Sequence, residues 1–258
     1  MDFHIPFRGT PSERYLLTAD LPDRSGERLR IVDNPLRNGL LALLPRRDLR
    51  SLTAKSGVVE FTQGDVVQKE REEVTDIYFP LSGMLSLLVV LRDGRMAETS
   101  VVGREGLIGA RAGLGSQASL VRVVAQLPVR ALRISMEDFR AILASSSAMA
   151  EICLKNADVL LDQARITAAC NSLHLVEERF CRWLLHTADR AESDQFDLKQ
   201  ELLSQMLGVR RTTITDTAKD IQKRGAITYS RGKLQILNRR LLLANSCECY
   251  ELLKRAGS

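Results

Sequence analysis

Basic and hydroxyl side chains are concentrated in residues 197–225, DLKQELLSQMLGVRRTTITDTAKDIQKRG. Arg210 and Arg211 are adjacent, Thr212 follows them, and Thr215 comes about one helical turn after Arg211. A guanidinium group can donate two parallel hydrogen bonds to a phosphate or to O6 and N7 of guanine. The residue types therefore indicate a partner that carries negative charge or hydrogen-bond acceptors.

Two short amphipathic helices would position these side chains. Residues 207–209, Leu-Gly-Val, form the turn between them, because glycine can adopt the left-handed backbone of a tight corner. Asp197 and Gln200 have the spacing of a capping box, which predicts that the first helix begins there. The second helix has an apolar stripe at i, i+4 and i+7: Ile214, Ala218 and Ile221. This arrangement is typical of a helix-turn-helix.

The exposed face of this motif gives a set of candidate contacts. Base-reading side chains are expected from the start of the second helix: Arg210, Arg211, Thr212 and Thr215. Phosphate contacts are expected from flanking polar residues: Lys199, Gln200, Lys219, Lys223, Arg231 and Lys233. The last two belong to Arg231-Gly232-Lys233, the tip of a predicted hairpin that would form a wing. The alternative is an ordinary solvated basic face.

Charge is distributed unevenly along the 258 residues. The formal net charge is +5, and the whole excess lies after residue 192, where twelve Lys and Arg face seven Asp and Glu. Such a local basic excess is typical of a polyanion-binding domain. The longest apolar run, residues 84–91, is too short for a membrane span. Five cysteines at irregular spacing favour free thiols and a cytoplasmic location.

The rest of the chain divides into three segments with different sequence patterns. Residues 1–35 mix Pro, Arg, Asp and Gly without a period and indicate a loosely ordered arm. Short apolar runs between turn residues fill 57–135, and Asp93-Gly94 is a strong hairpin signal, so we expect an antiparallel roll or sandwich. A long helical region follows, from about residue 136 to 190.

Within this helical region, apolar residues recur at every seventh position: Ile152, Val159, Ile166 and Leu173. This spacing predicts a seam between two long helices, and therefore a homodimer. Asn156 and Gln163 would lie on the adjacent seam position, where a buried polar residue favours a two-stranded state. The alternative is that the same residues pack onto the chain's own β-roll.

Three blocks of sequence carry a resemblance to the Crp/Fnr superfamily of bacterial transcription regulators: residues 171–190, 206–215 and 247–250. Tyr78-Phe79-Pro80 with Gly83, and Gly103-Arg104-Glu105-Gly106, resemble one branch of it. The resemblance implies an α+β fold: an N-terminal antiparallel, jelly-roll-like β-roll, a long dimerisation helix and a C-terminal winged helix-turn-helix. It divides the chain into an arm at 1–35, an effector domain at 36–147, a dimerisation helix at 148–174 and a DNA-binding domain at 175–258.

The resemblance also assigns roles by position. Arg211 matches an arginine that reads guanine in relatives. Asp216 stands where a second arginine is common, so we expect an operator that differs from the best-known consensus. The expected partners are double-stranded DNA, a second copy of the chain and RNA polymerase, with no membrane contact.

The matching effector pocket is degenerate, and its residues are Gly109, Ala110, Arg111, Leu120, Val121 and Arg122. Ala110 replaces the glutamate that grips the ribose of a cyclic nucleotide, and Leu120-Val121 replaces the Arg-Ser pair that holds its phosphate. Binding cyclic AMP would bury its polar groups unpaired, so we do not expect it as ligand. Arg111 and Arg122 leave room for another anion, and the effector stays unidentified.

Other chemistries have weaker support. Cys170 and His174 are four apart on a helix, so a dimer could bring two such pairs to a metal, but a packed thiol and a hydrogen-bonded imidazole are favoured. Cys247 and Cys249 give an equally weak signal, and we expect no metal and no cofactor. No nucleophile elbow or phosphate-binding loop indicates an enzyme. The competing function is a ligand-binding regulatory module that docks a protein instead of DNA.

Overall fold

The computed structural model describes residues 33–115 and 118–256. The predicted N-terminal arm lies almost entirely outside the described residues. Two short 3₁₀ turns, Pro35–Arg37 and Leu41–Leu43, lead into helix α1 (Arg46–Thr53). Asn38 anchors this entry, because its side-chain amide donates to the carbonyl oxygens of Pro80 (3.0 Å) and Gly106 (2.8 Å).

Seven strands form the predicted antiparallel roll. Their bounds are β1 Gly57–Phe61, β2 Val66–Gln68, β3 Asp76–Ser82, β4 Leu85–Val90, β5 Met96–Val102, β6 Arg122–Ala125 and β7 Val129–Ser135. One sheet has the order β1-β7-β3 and the other β2-β6-β4-β5, and every pairing within them is antiparallel. The α+β prediction with an N-terminal β-roll is confirmed.

Apolar side chains of both sheets fill the space between them. Tyr78, Leu85, Val102, Ile108 and Val123 form part of this core. Tyr78 also meets Phe61 edge-on, with ring centroids 5.6 Å apart. Gly83 closes the β3–β4 corner at φ +79°, and a Cβ there would lie 2.1 Å from the Pro128 carbonyl oxygen. The close approach explains why the corner requires glycine.

Helices α2 (Ala110–Gly113) and α3 (Met136–Leu143) flank the roll, and the long helix α4 (Ser147–Leu173) follows. The Ser146 hydroxyl caps α4 by accepting from the Met149 N–H at 3.1 Å. Two buried amides then hold α4 against its own roll. Asn156 Oδ1 accepts from the Leu107 N–H at 2.9 Å, and Gln163 Oε1 accepts from the Val101 N–H at 2.8 Å.

The C-terminal part begins with helix α5 (Val176–Ala191). Its remaining elements are β8 Gln195–Asp197, α6 Gln200–Leu207, α7 Arg211–Lys223, β9 Ile227–Ser230, β10 Lys233–Ile236, α8 Arg239–Ala244 and α9 Cys249–Ala256. One apolar cluster joins Phe180, Leu184 and Leu203 to Met84 and Leu88 of the roll, so the two parts share a core. Among the described helices, none has the length and apolar character of a membrane span.

Candidate nucleic-acid interface

Helices α6 and α7 form the predicted corner. Gly208 ends α6 in the left-handed conformation, at φ +63°. Ile214, Ala218 and Ile221 are buried, as the i, i+4, i+7 pattern predicted. Arg210, Arg211 and Thr212 are therefore turned to the exposed side of α7.

The predicted capping box of α6 is wrong. The helix begins at Gln200, and Lys199 is its N-cap residue, with no side-chain cap. Asp197 instead ends strand β8, where it pairs with Lys233 of β10. Strand pairing fixes the Asp197 backbone three residues before the helix, and its carboxylate does not cap the first turn.

Six cations on this side of the molecule form no ion pair within residues 33–115 and 118–256: Lys199, Arg210, Arg211, Lys219, Arg231 and Lys233. All six are exposed. Lys223 differs, because its Nζ lies 3.2 Å from Asp220 Oδ1. Surface cations without a carboxylate neighbour remain available to phosphates.

Thr215 and Gln200, both predicted to contact DNA, are hydrogen-bonded to each other. The Thr215 hydroxyl lies 3.0 Å from Gln200 Oε1 and 3.0 Å from the Arg211 carbonyl oxygen. Both residues are half-buried. The pair joins the first turn of α6 to the second turn of α7, which fixes the crossing of the two helices.

Strands β8, β10 and β9 form the wing, in that order across the sheet. Arg231 and Gly232 make its two-residue turn, with φ of +51° and +79°. Tyr229 ties the wing to the helices: its N–H donates to Gln222 Oε1 of α7 at 2.7 Å, and its hydroxyl donates to the Leu198 carbonyl oxygen at 2.7 Å. Burial raises the pKa of Tyr229 to about 12, so this donor stays protonated.

The predicted effector pocket is not assembled around polar groups. Ala110 is buried, Arg111 is exposed, and Leu120 is 68% exposed at the surface. Arg122 makes a bidentate ion pair with Glu70, with Nε and Nη2 each 2.8 Å from a carboxylate oxygen. Its charge is therefore already neutralised. Val121 is half-buried and packs against the apolar core of the roll.

The four residues of the predicted α4 seam do not share one environment in the structure. Ile152 is only 4% exposed and packs in the core of its own roll, so its assignment to a seam is corrected. Val159 and Ile166 are half-buried, and Leu173 is 78% exposed. Asn156 and Gln163 face the roll, because they bond to its backbone.

Helix α4 carries a second seven-residue repeat that the sequence analysis did not predict. Leu154 and Leu161 are 59% and 48% exposed, and they stand seven residues apart on the side of α4 that faces away from the roll. Ala157 and Ala168 are exposed on the same face. We call Leu154, Ala157, Leu161 and Ala168 the α4 stripe.

Ion pairs between the roll and α5 were also missed. Glu105 Oε1 accepts from Nε and Nη2 of Arg190 at 2.9 and 2.6 Å. Glu192 pairs with Arg37 at 3.3 Å and with Arg104. Arg104 and Glu105 lie within the Gly103–Gly106 block, but no local pattern in the sequence indicates their partners Glu192 and Arg190.

Comparisons with known proteins agree with this geometry. A family model described as "Cyclic nucleotide-binding domain" matches residues 58–146, and one described as "Crp-like helix-turn-helix domain" matches residues 178–244. Together the two matches span more than half of the chain. No curated protein sequence matches.

Three solved structures resemble this one over most of the chain. A transcriptional regulator of the crp/fnr family from Eubacterium rectale has 16% identity and a TM-score of 0.66, over 81% of this chain and 98% of that one. The c-di-GMP responsive regulator CLP from Xanthomonas campestris has 15% identity and a TM-score of 0.63, over 74% and 99%. FixK2 from Bradyrhizobium japonicum has 13% identity and a TM-score of 0.62, over 74% and 98%. At these identities the likeness shows a shared fold.

Proposed function

Because the chain belongs to the Crp/Fnr superfamily of transcription regulators, we propose that it binds a specific DNA sequence as a homodimer. The superfamily and the helix-turn-helix make it a DNA-binding regulator. We also propose the two-fold symmetry of binding, the residues that read bases and the state of the effector domain.

One observation carries the proposal: the unpaired cations lie on helix α7, its approach and the wing. In the winged helix-turn-helix arrangement, α7 enters the major groove with its N-terminal residues against base edges. Arg211 would donate to O6 and N7 of a guanine, with Arg210 and Thr212 beside it. Lys199, Lys219, Arg231 and Lys233 would contact phosphates, which fix the register but carry no sequence information.

A second copy of the chain would cover the α4 stripe. Leucines seven residues apart, with Ala157 between them and Ala168 seven residues further on, suit the close approach of two antiparallel or parallel helices. Two-fold pairing through α4 would present two copies of α7 to successive major grooves, about 34 Å apart. The proposed operator is accordingly an inverted repeat.

The effector domain is proposed to be degenerate, with no cyclic AMP bound. Ala110 cannot hold ribose hydroxyls, and Arg122 already satisfies its charge with Glu70. Apolar side chains fill the roll between its sheets. We further propose a non-enzymatic, cytoplasmic regulator that contacts RNA polymerase.

Selection from a pool of random duplexes tests the function directly. The full-length protein should enrich an inverted repeat whose half-site centres are about 10 base pairs apart. One guanine in each half-site should be strongly preferred. If repeated rounds yield no common sequence, or a single unrepeated site, the proposal of a sequence-specific dimer is wrong.

A further inference from the structure

Four soft ligand atoms meet where the long helix ends. Cys170 lies in the last turn of α4 and His174 is its C-cap residue, while Cys247 and Cys249 come from the start of α9 and the residues before it. Their ligand atoms all lie within 4.8 Å of one another. Cys170 Sγ is 3.5 Å from Cys247 Sγ, and Cys249 Sγ is 3.7 Å from His174 Nδ1.

This grouping differs from the sequence-based prediction. That prediction would have required a dimer to bring two Cys170–His174 pairs together, and it favoured a packed thiol. Instead a single chain supplies all four groups, because α9 packs along α4. The Cys170–His174 pair and the Cys247–Cys249 pair are separated by more than seventy residues, so sequence spacing alone did not connect them.

The separations suit one tetrahedral ion. Zinc–sulfur and zinc–nitrogen bonds of about 2.3 and 2.0 Å place tetrahedral ligand atoms roughly 3.5–3.8 Å apart. Two of the pairs already have such distances, and the widest needs a closure of about 1 Å. An iron–sulfur cluster needs its thiolates spread over several irons, so these close ligands favour a single ion.

The surroundings also support a metal. Glu248 Oε2 lies 3.1 Å from His174 Nε2, which leaves Nδ1 facing the cysteines. A carboxylate on the far nitrogen of a ligating histidine is the usual way to orient the ring. Cys170, Cys247 and Cys249 are all buried, and Ile166 packs against them as an apolar shell.

A buried cation offsets the charge that three thiolates would bring. Arg182 is buried, and its Nε has no hydrogen-bond partner among the described residues. Its charge favours the thiolate form of all three cysteines, although the contact with Cys170 raises the pKa of Cys247 and burial raises the pKa of Cys249. A zinc ion with three thiolates and a neutral imidazole has a net charge of about −1. One guanidinium can balance that charge.

We propose that Cys170, His174, Cys247 and Cys249 bind one zinc-class divalent ion through three thiolates and the imidazole Nδ1. Binding releases the protons of those thiols that are still protonated. The ion would join the end of α4 to α9, and so hold the C-terminal domain against the helix that leaves the effector domain. This proposal stands apart from DNA binding, since its readout is metal content.

Metal titration of the reduced full-length protein tests the site. After stripping with a chelator, the protein should take up one Zn²⁺ or one Co²⁺ per chain by mass spectrometry. Co²⁺ should show thiolate charge transfer and the strong visible bands of a tetrahedral site. Glu248→Gln should weaken Zn²⁺ binding about 10- to 100-fold, because the imidazole loses its orienting partner.

Ligand and control variants separate this site from other thiols. Cys247→Ser and Cys170→Ser should abolish stoichiometric uptake, whereas Cys153→Ser, at a buried cysteine outside the site, should leave it unchanged. A measurement without variants is thiol alkylation of the wild-type protein: Zn²⁺ should protect Cys170, Cys247 and Cys249 but not change the labelling of Cys153. No uptake by the reduced protein, uptake that survives Cys247→Ser, or a Cys170–Cys247 disulfide in place of uptake would overturn the proposal.

Discussion

Arg211 stands in the first turn of α7, where the helix macrodipole disfavours a cation. Arg210, the N-cap residue, has no capping side chain to offset this position. The two placements together cost about 1 kcal/mol. Acceptor groups on DNA would offset the cost, because a guanine or a phosphate supplies negative potential, and neither arginine has a carboxylate partner among the described residues.

Arg211 and Lys233 should therefore respond differently to removal. Arg211→Ala should cost about 1–3 kcal/mol on the selected operator and relax the preference at one base pair. Lys233→Ala should weaken all duplexes alike and reduce the salt slope by about 1. Binding titrations on the operator and on its single-base variants measure both. Equal losses on operator and random DNA for Arg211→Ala would contradict the base-reading role.

Glu98 is a second residue with an unusual setting. Its carboxylate accepts from the Ser86 hydroxyl (2.6 Å) and from Trp183 Nε1 (3.1 Å), so it lies between the roll and α5. Desolvation raises the pKa of Glu98 from 4.5 to about 7, although Arg182 and Arg190 oppose the shift. The folded protein thus holds this proton more tightly than the unfolded chain, and stability falls as the pH rises from 4.5 to 7.

The effect of Glu98→Gln on stability should depend on pH in the same direction. At about pH 8 it should increase the free energy of unfolding by roughly 1–3 kcal/mol, because the amide avoids burying a charge. At about pH 5 the wild-type side chain is protonated, and the change should be small. Urea unfolding at both pH values measures the difference. A loss of stability at the higher pH would show that the ionised carboxylate is the stabilising form.

Helix α4 illustrates what an element's sequence can and cannot predict. The seven-residue repeat predicted a long helix, and the structure has one from Ser147 to Leu173. The repeat could not show which face meets the roll. Asn156 and Gln163 decide that, because unpaired backbone N–H groups of the roll need acceptors. Ile152 turns inward with them, and Leu154 and Leu161 are left outside.

Leu161→Glu tests the α4 stripe as a dimer surface. Two unpaired carboxylates would be buried at the dimer interface, so we expect the dissociation constant of the dimer to rise at least about 100-fold. Sedimentation should show single chains where the wild type is a dimer, and operator affinity should fall with it. Leu43→Glu, at another exposed leucine, is the matched control. A dimer that survives Leu161→Glu would place the interface elsewhere.

At the scale of the whole molecule, the order of the roll, long helix and winged helix-turn-helix was predictable. Local apolar periods, turn residues and the basic C-terminal excess carry that information. Contacts between distant segments could not be predicted, because no local pattern shows that Glu105 contacts Arg190 or that Cys170 contacts Cys247. The Asp197 cap failed for the same reason, because its strand partner Lys233 is remote in sequence.

A salt titration of the wild-type protein on its selected operator and on a scrambled duplex is the most direct test of specific DNA binding. Phosphate contacts from both protomers predict a log–log slope between about −5 and −9. The operator should be bound at least about 1,000-fold more tightly than the scrambled duplex. A flat salt dependence would favour docking to a protein, and equal affinity for the two duplexes would contradict sequence-specific recognition.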